Sequence, residues 1–260
     1  MSLLMTRRGG ARIFSVNPVA KIAGLAVLTG CLLLTLDWVS ATVAVAGELV
    51  LFVAAGLRGR TLWRRTLPVW VAAPLAGLTM TLYGRASGAS YFQLGFVHVT
   101  EGSVAIGVAT LLRLLAIALP AVVLFATMDP TDLADGLAQR VRLPSRFVLG
   151  ALAGLRLVGL FVADWHSLEL ARRARGVADT GRIRRLLGQS LALLVLAVRR
   201  GTKLATAMEA RGFDSPGERT WARTSPFGRA EIVTIACGVV LGGACLAVAL
   251  ALGTWNFIFT

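Results

Sequence analysis

Few side chains in this 260-residue sequence are suited to catalysis or metal binding: there are two histidines, three cysteines and only 13 Asp or Glu. His98 and His166 have no Cys, Asp or Glu grouping around them at metal-ligand or nucleophile spacing, so each reads as an ordinary surface or packing residue. Cys31, Cys237 and Cys245 each lie inside an apolar run, which excludes a disulfide scaffold. Cys237 and Cys245, eight apart, share a helix face and read as packing residues rather than a metal pair. Lysine occurs only at Lys21 and Lys203, and neither follows a glycine. No Gly-x-x-x-x-Gly-Lys-[Ser/Thr] therefore exists, and the chain cannot hydrolyse ATP through a P-loop. Charge is scarce too, at 15% of residues, against about 25% in an average soluble domain.

What the sequence has instead is apolar length. Apolar residues make up 56% of the chain, and richness in Leu, Val and Ala excludes disorder. A net charge of +14 could suggest nucleic acid, but no groove-reading element on a soluble face accompanies it. A bilayer protein concentrates Lys and Arg in its cytoplasmic segments, which accounts for the same excess. A spanning helix needs about 20 mainly apolar residues. Five stretches qualify: 18–36 with Lys21 near one end, 38–57 interrupted by Glu48, 66–84, 102–128 interrupted by Arg113, and 231–254 bounded by Glu231. The first could pass for a signal peptide, but its basic leader is long and Asp37-Trp38 reads as a tight turn into the next span. Residues 85–101, with Tyr91, Phe92 and Phe96, are too few and too polar for a sixth span and suit a short interfacial or re-entrant piece.

A cytoplasmic N-terminus puts Arg7, Arg8, Arg12 and Lys21 inside, followed by Arg58, Arg60, Arg64 and Arg65 in the next inside loop. It also puts inside the 17 Lys or Arg of residues 128–229, and leaves only Arg85 outside. The positive-inside rule thus gives N-in, C-out. The expected architecture is an all-α polytopic membrane protein: residues 1–128 carry the first four spans, 129–229 a long cytoplasmic region, and 230–260 a last span.

The cytoplasmic stretch has a helical pattern. Asp129, Pro130 and Asp132 read as an N-cap, a first-position proline and a first-turn acid, starting a short helix through about Arg142. A second start follows at Pro144. Leu149, Leu152, Leu155, Val158, Phe161, Val162, Trp165 and Leu168 then recur at spacings of three and four, an amphipathic stripe that runs on to Arg175. Gly176 is the expected stop, since glycine accepts the left-handed conformation after a last turn. Residues 183–211 form a further long helix with Leu186, Leu187, Leu191, Leu194, Leu196 and Val198 on its apolar side, closing before Phe213-Asp214-Ser215-Pro216-Gly217. Both helices end in Ala-Arg-Gly: Ala174-Arg175-Gly176 and Ala210-Arg211-Gly212, with 36 residues between the arginines. The simplest reading of one such triplet is an arginine complementing the negative end of a helix, worth about 0.3–1 kcal/mol. The shared position of the two, at the ends of two long helices in one segment, suggests more.

These features resemble the transmembrane T component of energy-coupling factor transporters, the family that includes the membrane subunits of cobalt, nickel and biotin uptake systems. The similarity is carried by Asp129-Pro130-Thr131-Asp132-Leu133-Ala134-Asp135-Gly136-Leu137, by Leu143-Pro144, by Ala171 to Gly176 and by Ala207 to Phe213, with a fainter match at Asn17-Pro18-Val19-Ala20-Lys21. One departure is Arg156-Leu157-Val158-Gly159, where the family often has Arg-Phe-x-Pro. The resemblance implies a non-catalytic scaffold subunit whose two long helices are coupling helices. It implies two partner ABC ATPase subunits that bind ATP and Mg, no cofactor in this chain, and a small membrane subunit that binds the substrate. Ala174, Arg175, Gly176, Ala210, Arg211 and Gly212 would be the ATPase-docking residues. The solute, a vitamin or a transition metal ion, would be chosen by the other membrane subunit.

Two readings outside this family are a stand-alone permease and a membrane-embedded enzyme. The first needs a polar cavity at the midplane, where the spans offer little beyond Glu48 and Arg113, and the second needs convergent catalytic groups that are missing. Co-purification with ATPase subunits separates both from a scaffold. Because ionisable groups in hydrocarbon usually find a partner, Glu48 and Arg113 are expected to pair within the bundle.

Overall fold

The computed structural model describes residues 15–35, 37–56, 60–84, 87–94, 97–176, 181–213 and 220–253. Arg7, Arg8, Arg12, Arg58, Arg85, Phe96, residues 214–217 of the chain break and the end of the last apolar run lie outside the described residues. The protein is built from α1 (Pro18–Leu33), α2 (Trp38–Ala54), α3 (Arg60–Tyr83), β1 (Ser90–Leu94), β2 (Val97–Thr100), α4 (Glu101–Ala126), α5 (Pro130–Gln139), α6 (Ser145–Ala174), α7 (Arg182–Ala210) and α8 (Arg229–Ala251). It divides into two compact units, Ser2–Leu133 with Pro226–Thr260, and Ala134–Ser225.

The first unit is a bundle in which α4 packs on α1, α2 and α3, and α8 packs on α1 and α2. With no hydrophobic drive between helices in lipid, close approach depends on small residues. A Cβ on Gly238 would fall 2.5 Å from the Gly24 carbonyl oxygen, and one on Gly242 would fall 2.9 Å from the Cys31 sulfur, so the α1–α8 contact needs both glycines. Leu28, Leu32, Ala44, Ala116 and Cys245 fill the centre of this bundle, and Val69, Ala73, Leu115 and Leu119 fill the α3–α4 side.

The expected turn before Trp38 is present: Asp37 caps α2 by accepting the Ser40 N–H at 3.1 Å. Residues expected as an interfacial or re-entrant piece contain an antiparallel hairpin, with Phe92 opposite Val99 and Gln93 opposite His98. It leads straight into α4, whose start Thr100 and Ser103 cap reciprocally. Among the described residues, four helices are long and apolar enough to cross a membrane: Trp63–Tyr83 of α3, α4, α6 and α8. This set differs from the expected five in two ways. α1 and α2, at 16 and 17 residues, end short of the ranges 18–36 and 38–57: α1 stops at Leu33, ahead of the capped turn at Asp37, and α2 stops at Ala54, ahead of Gly56 with its φ of 73°; each is only about 25 Å long. α6, expected as an amphipathic helix, is apolar enough to qualify as a span.

The second unit contains most of α5, then α6, α7 and the returning segment to Ser225. Asp129 caps α5, its carboxylate accepting the Thr131 N–H at 2.8 Å, as the sequence pattern suggests. The helix stops at Gln139 rather than near Arg142, which adopts a positive φ of 58°. Ala134, Ala138 and Val148 form a small core with Leu137, Leu152 and Trp221. Gln139 Nε2 donates to the Arg223 carbonyl at 2.8 Å, and Arg140 donates to the Ser225 carbonyl through Nε at 3.0 Å and Nη2 at 2.6 Å. These bonds fix the returning segment along α5.

The apolar stripes of α6 and α7 are unevenly covered. In α6, Leu149, Leu152, Phe161, Trp165 and Leu168 are half-buried, but Leu155, Val158 and Val162 are exposed. The residues from Phe147 to Val162 are apolar almost all round rather than on one face. In α7, Leu186, Leu187, Leu191, Leu194 and Val198 are all exposed, and of the expected stripe only Leu196 is half-buried. The side of α7 that is covered carries Arg185, Gly188, Gln189, Leu193, Ala197 and Arg200 instead.

Candidate functional site

The two Ala-Arg-Gly triplets close α6 and α7 with the same local geometry. Arg175 and Arg211 occupy the C-cap positions. Gly176 follows at φ 68° and Gly212 at φ 71°, a left-handed conformation that would strain a residue with a Cβ. After α7, the Phe213 N–H reaches the Met208 carbonyl at 3.0 Å and the Gly212 N–H reaches the Glu209 carbonyl at 2.9 Å. That pair of bonds is the Schellman closure, which satisfies the last carbonyls and ends the helix. After α6, the Gly176 N–H reaches the Arg173 carbonyl at 3.0 Å in the equivalent position. Arg175, Gly176, Arg211, Gly212 and both preceding alanines, Ala174 and Ala210, are exposed. Each end therefore offers an exposed guanidinium with five donors on a long stem, beside an exposed glycine.

α6 and α7 run antiparallel. Asp164 meets Arg200 through two contacts, Arg200 Nη2 to Oδ1 at 3.0 Å and Nη1 to Oδ2 at 2.5 Å. Farther along α6, the Arg172 guanidinium lies against Gly188, whose added Cβ would come within 2.7 Å of it. As α6 residue numbers rise from 164 to 172, their α7 neighbours fall from 200 to 188. Arg175 and Arg211 each stand 11 residues beyond their helix's member of the ion pair, in opposite directions. At 1.5 Å per residue the two arginines are on the order of 30 Å apart along the pair.

The structure does not bring Glu48 and Arg113 together. Arg113 Nη2 donates to the Leu32 carbonyl at 2.6 Å, one of the unsatisfied acceptors at the C-terminal end of α1, and its electrostatic neighbour is Asp37. Glu48 is 2% exposed, with neither carboxyl oxygen hydrogen-bonded. It lies ten residues into α2, and so about 15 Å from the turn where Arg113 binds. A helix end and Asp37 took the guanidinium that the sequence pattern assigns to Glu48. Among the described residues no group of His, Cys, Asp or Glu is arranged to hold a metal ion.

A polar cluster that the sequence marks only by a faint match lies at the start of α1. Asn17 caps α1 by accepting the Val19 N–H at 3.0 Å, and its Nδ2 donates to the Pro226 carbonyl at 3.0 Å. Glu231 accepts the Asn17 N–H at 3.2 Å through Oε1 and the Gly228 N–H at 2.7 Å through Oε2. Lys21, 1% exposed, donates to the Thr127 carbonyl and hydroxyl, both at 3.2 Å, with Asp132 as an electrostatic partner. α1 thus ties down both the end of α4 and the start of α8, the two places where the chain leaves and re-enters the bundle. The signal in the sequence is Asn17-Pro18, a cap followed by a first-position proline; nothing in the pattern marks Lys21 as buried, since a lysine near a span's end ordinarily reaches water.

Comparison with known proteins covers the same residues. The CbiQ family model, described as cobalt transport protein, matches residues 11–221. The energy-coupling factor transporter transmembrane protein EcfT of Limosilactobacillus fermentum is 30% identical over 179 residues, 64% of this chain and 67% of the relative. EcfT of Listeria innocua is 24% identical over 249 residues, covering 90% of this chain and 93% of that protein, and EcfT of Bacillus subtilis is 30% identical over 145 residues, 51% and 55% respectively. With a helical bundle, apolar helices of spanning length and a family match from residue 11 to residue 221, the chain belongs to the CbiQ family, the transmembrane components of energy-coupling factor transporters.

Proposed function

We propose that this protein is a non-catalytic scaffold that couples ATP hydrolysis by two partner ABC ATPase subunits to movement of a small substrate-binding membrane subunit, for uptake of a vitamin or a transition metal ion. ATP and Mg belong to the partners. One observation carries the reading: two exposed arginines, each on a glycine-closed helix end, stand at opposite ends of an antiparallel helix pair. Two separated sockets on two subunits suit that arrangement better than one continuous surface. A guanidinium fork binds carboxylates or carbonyls in a socket, and the left-handed glycine beside it lets the backbones approach.

The exposed apolar residues of the same helices supply the second half of the reading. Phe147, Leu155, Val158 and Val162 on α6, and Leu187, Leu191, Leu194 and Val195 on α7, are 55 to 66% exposed. Lipid or a hydrophobic partner satisfies such a surface, and water does not. In the N-in orientation of the positive-inside rule both arginine tips face the cytoplasm, where ATPases would meet them.

The test is the pair Arg175→Ala and Arg211→Ala, assayed by co-purification of the ATPase subunits and by solute uptake in vesicles. Each single variant is expected to weaken ATPase retention, and the double variant to lower uptake at least tenfold. Wild-type uptake in the double variant refutes the proposal.

A further inference from the structure

The tips bind two partners at once only if their spacing is fixed, and that spacing is set by how far α6 is slid along α7. Aliphatic and small residues specify this register weakly, because shifting a smooth apolar surface by one turn replaces one contact by a similar one. On the covered side of α7, Gly188, Leu193, Leu196 and Ala197 are of that kind, alongside Arg185 and the buried Gln189. Gly201, just beyond Arg200, would meet no other atom within 4 Å of an added Cβ, so it adds no close approach that could fix the register.

Against that background the two-contact pair of Arg200 with Asp164 is directional. It joins the two helices, whereas a second ion pair, Arg173 with Glu169 at 2.7 Å, stays within α6. The side chains of Asp164 and Arg200 are 18% and 38% exposed, so the pair is partly shielded from water. The Nη2 contact is a charge-assisted hydrogen bond and the Nη1 contact an ionic one, and a charge-assisted bond favours one geometry over its neighbours. A polar pair inside an apolar contact is best attested as a register lock rather than as a source of stability. The fork also lies midway between the tips, 11 residues from each.

We infer that Asp164 and Arg200 are positioning residues that lock the register of α6 against α7 and thereby set the distance between the Arg175 and Arg211 tips. The inference rests on the docking reading for its functional consequence, but not for its structural claim. Without the fork the helices slip by a turn, about 5 Å, and the tips no longer match two sockets at fixed separation. ATPase subunits still bind one tip at a time, while coupling of their motion to the membrane subunit is lost.

The experiment uses the full complex with its ATPase and substrate-binding subunits, in a background without Cys31, Cys237 and Cys245. Spin labels are placed at the exposed Leu170 of α6 and Thr206 of α7, and the distance distribution is read by pulsed dipolar spectroscopy. The parent protein is expected to give one narrow distribution. Asp164→Leu with Arg200→Met, which leaves no unpaired charge, is expected to keep thermal stability but to broaden or split the distribution by about 5 Å and to lower uptake at least tenfold. The swapped pair Asp164→Arg with Arg200→Asp is expected to restore the narrow distribution and most of the uptake. An unchanged distribution in the Leu/Met variant overturns the register claim, and a shifted distribution with wild-type uptake overturns the positioning role. If the register result holds while Arg175→Ala with Arg211→Ala leaves docking intact, the docking reading alone has failed.

Discussion

The α1–α8 contact and the α6–α7 contact are both helix pairs, yet they solve opposite problems. In the first, glycines at 24, 238 and 242 let backbones touch, apolar side chains close over them, and buried Asn17 and Glu231 tie the ends. In the second, an ion pair joins the helices while Leu186, Leu187, Leu191 and Leu194 of α7 stay exposed. A pair that turns its apolar side outward is incomplete by itself. The bundle pair covers apolar side chains of its own, Leu28, Leu32 and Cys245 among them, whereas the long helices leave theirs largely bare.

The comparison breaks first at Gly238. Gly238→Leu forces α1 and α8 apart, and overpacking of this kind costs typically 1–3 kcal/mol and sometimes more; the purified protein should lose more of its thermal midpoint than any variant at the helix cap or on α7. Next comes Asn17→Ala, which removes both the cap of α1 and the bond to Pro226. A lost N-cap costs about 1 kcal/mol, so a clear but smaller fall is expected, and Asn17→Ser, which keeps the cap, should recover part of it. An unchanged midpoint in Asn17→Ala would show that the junction contributes nothing. The smallest effect on stability belongs to Leu191→Ser with Leu194→Ser on the exposed side of α7. Surface changes of this kind stay within about 0.5 kcal/mol, but co-purification of the substrate-binding subunit should be lost. A large fall in the midpoint there would mean that this side packs within the protein, and the contrast between the two helix pairs would disappear.

Much of the fold could be read from local signals. Asp129-Pro130 started a helix and Asp37 made a turn, because caps and first-position prolines act over three or four residues. Gly176 and Gly212 ended helices because only glycine adopts their φ cheaply. Local signals stop short of partners. Periodicity finds the apolar side of α7, and only the packed structure shows that this chain leaves most of it bare, since a stripe states what wants cover and not whether this chain supplies it. Glu48 and Arg113 were paired because each was a lone charge in an apolar run, and no one-dimensional pattern could show that the end of α1 stands nearer to Arg113.

The sequence by itself determined the solvent, the helices, their caps and the two arginine-tipped ends, because hydropathy and capping are properties of neighbouring residues. Only the tertiary structure decided which faces stay bare, that Asp164 meets Arg200 across 36 residues, and that Asn17 holds Pro226 across 209. Such choices depend on distances between remote segments, which are fixed only when the helices pack.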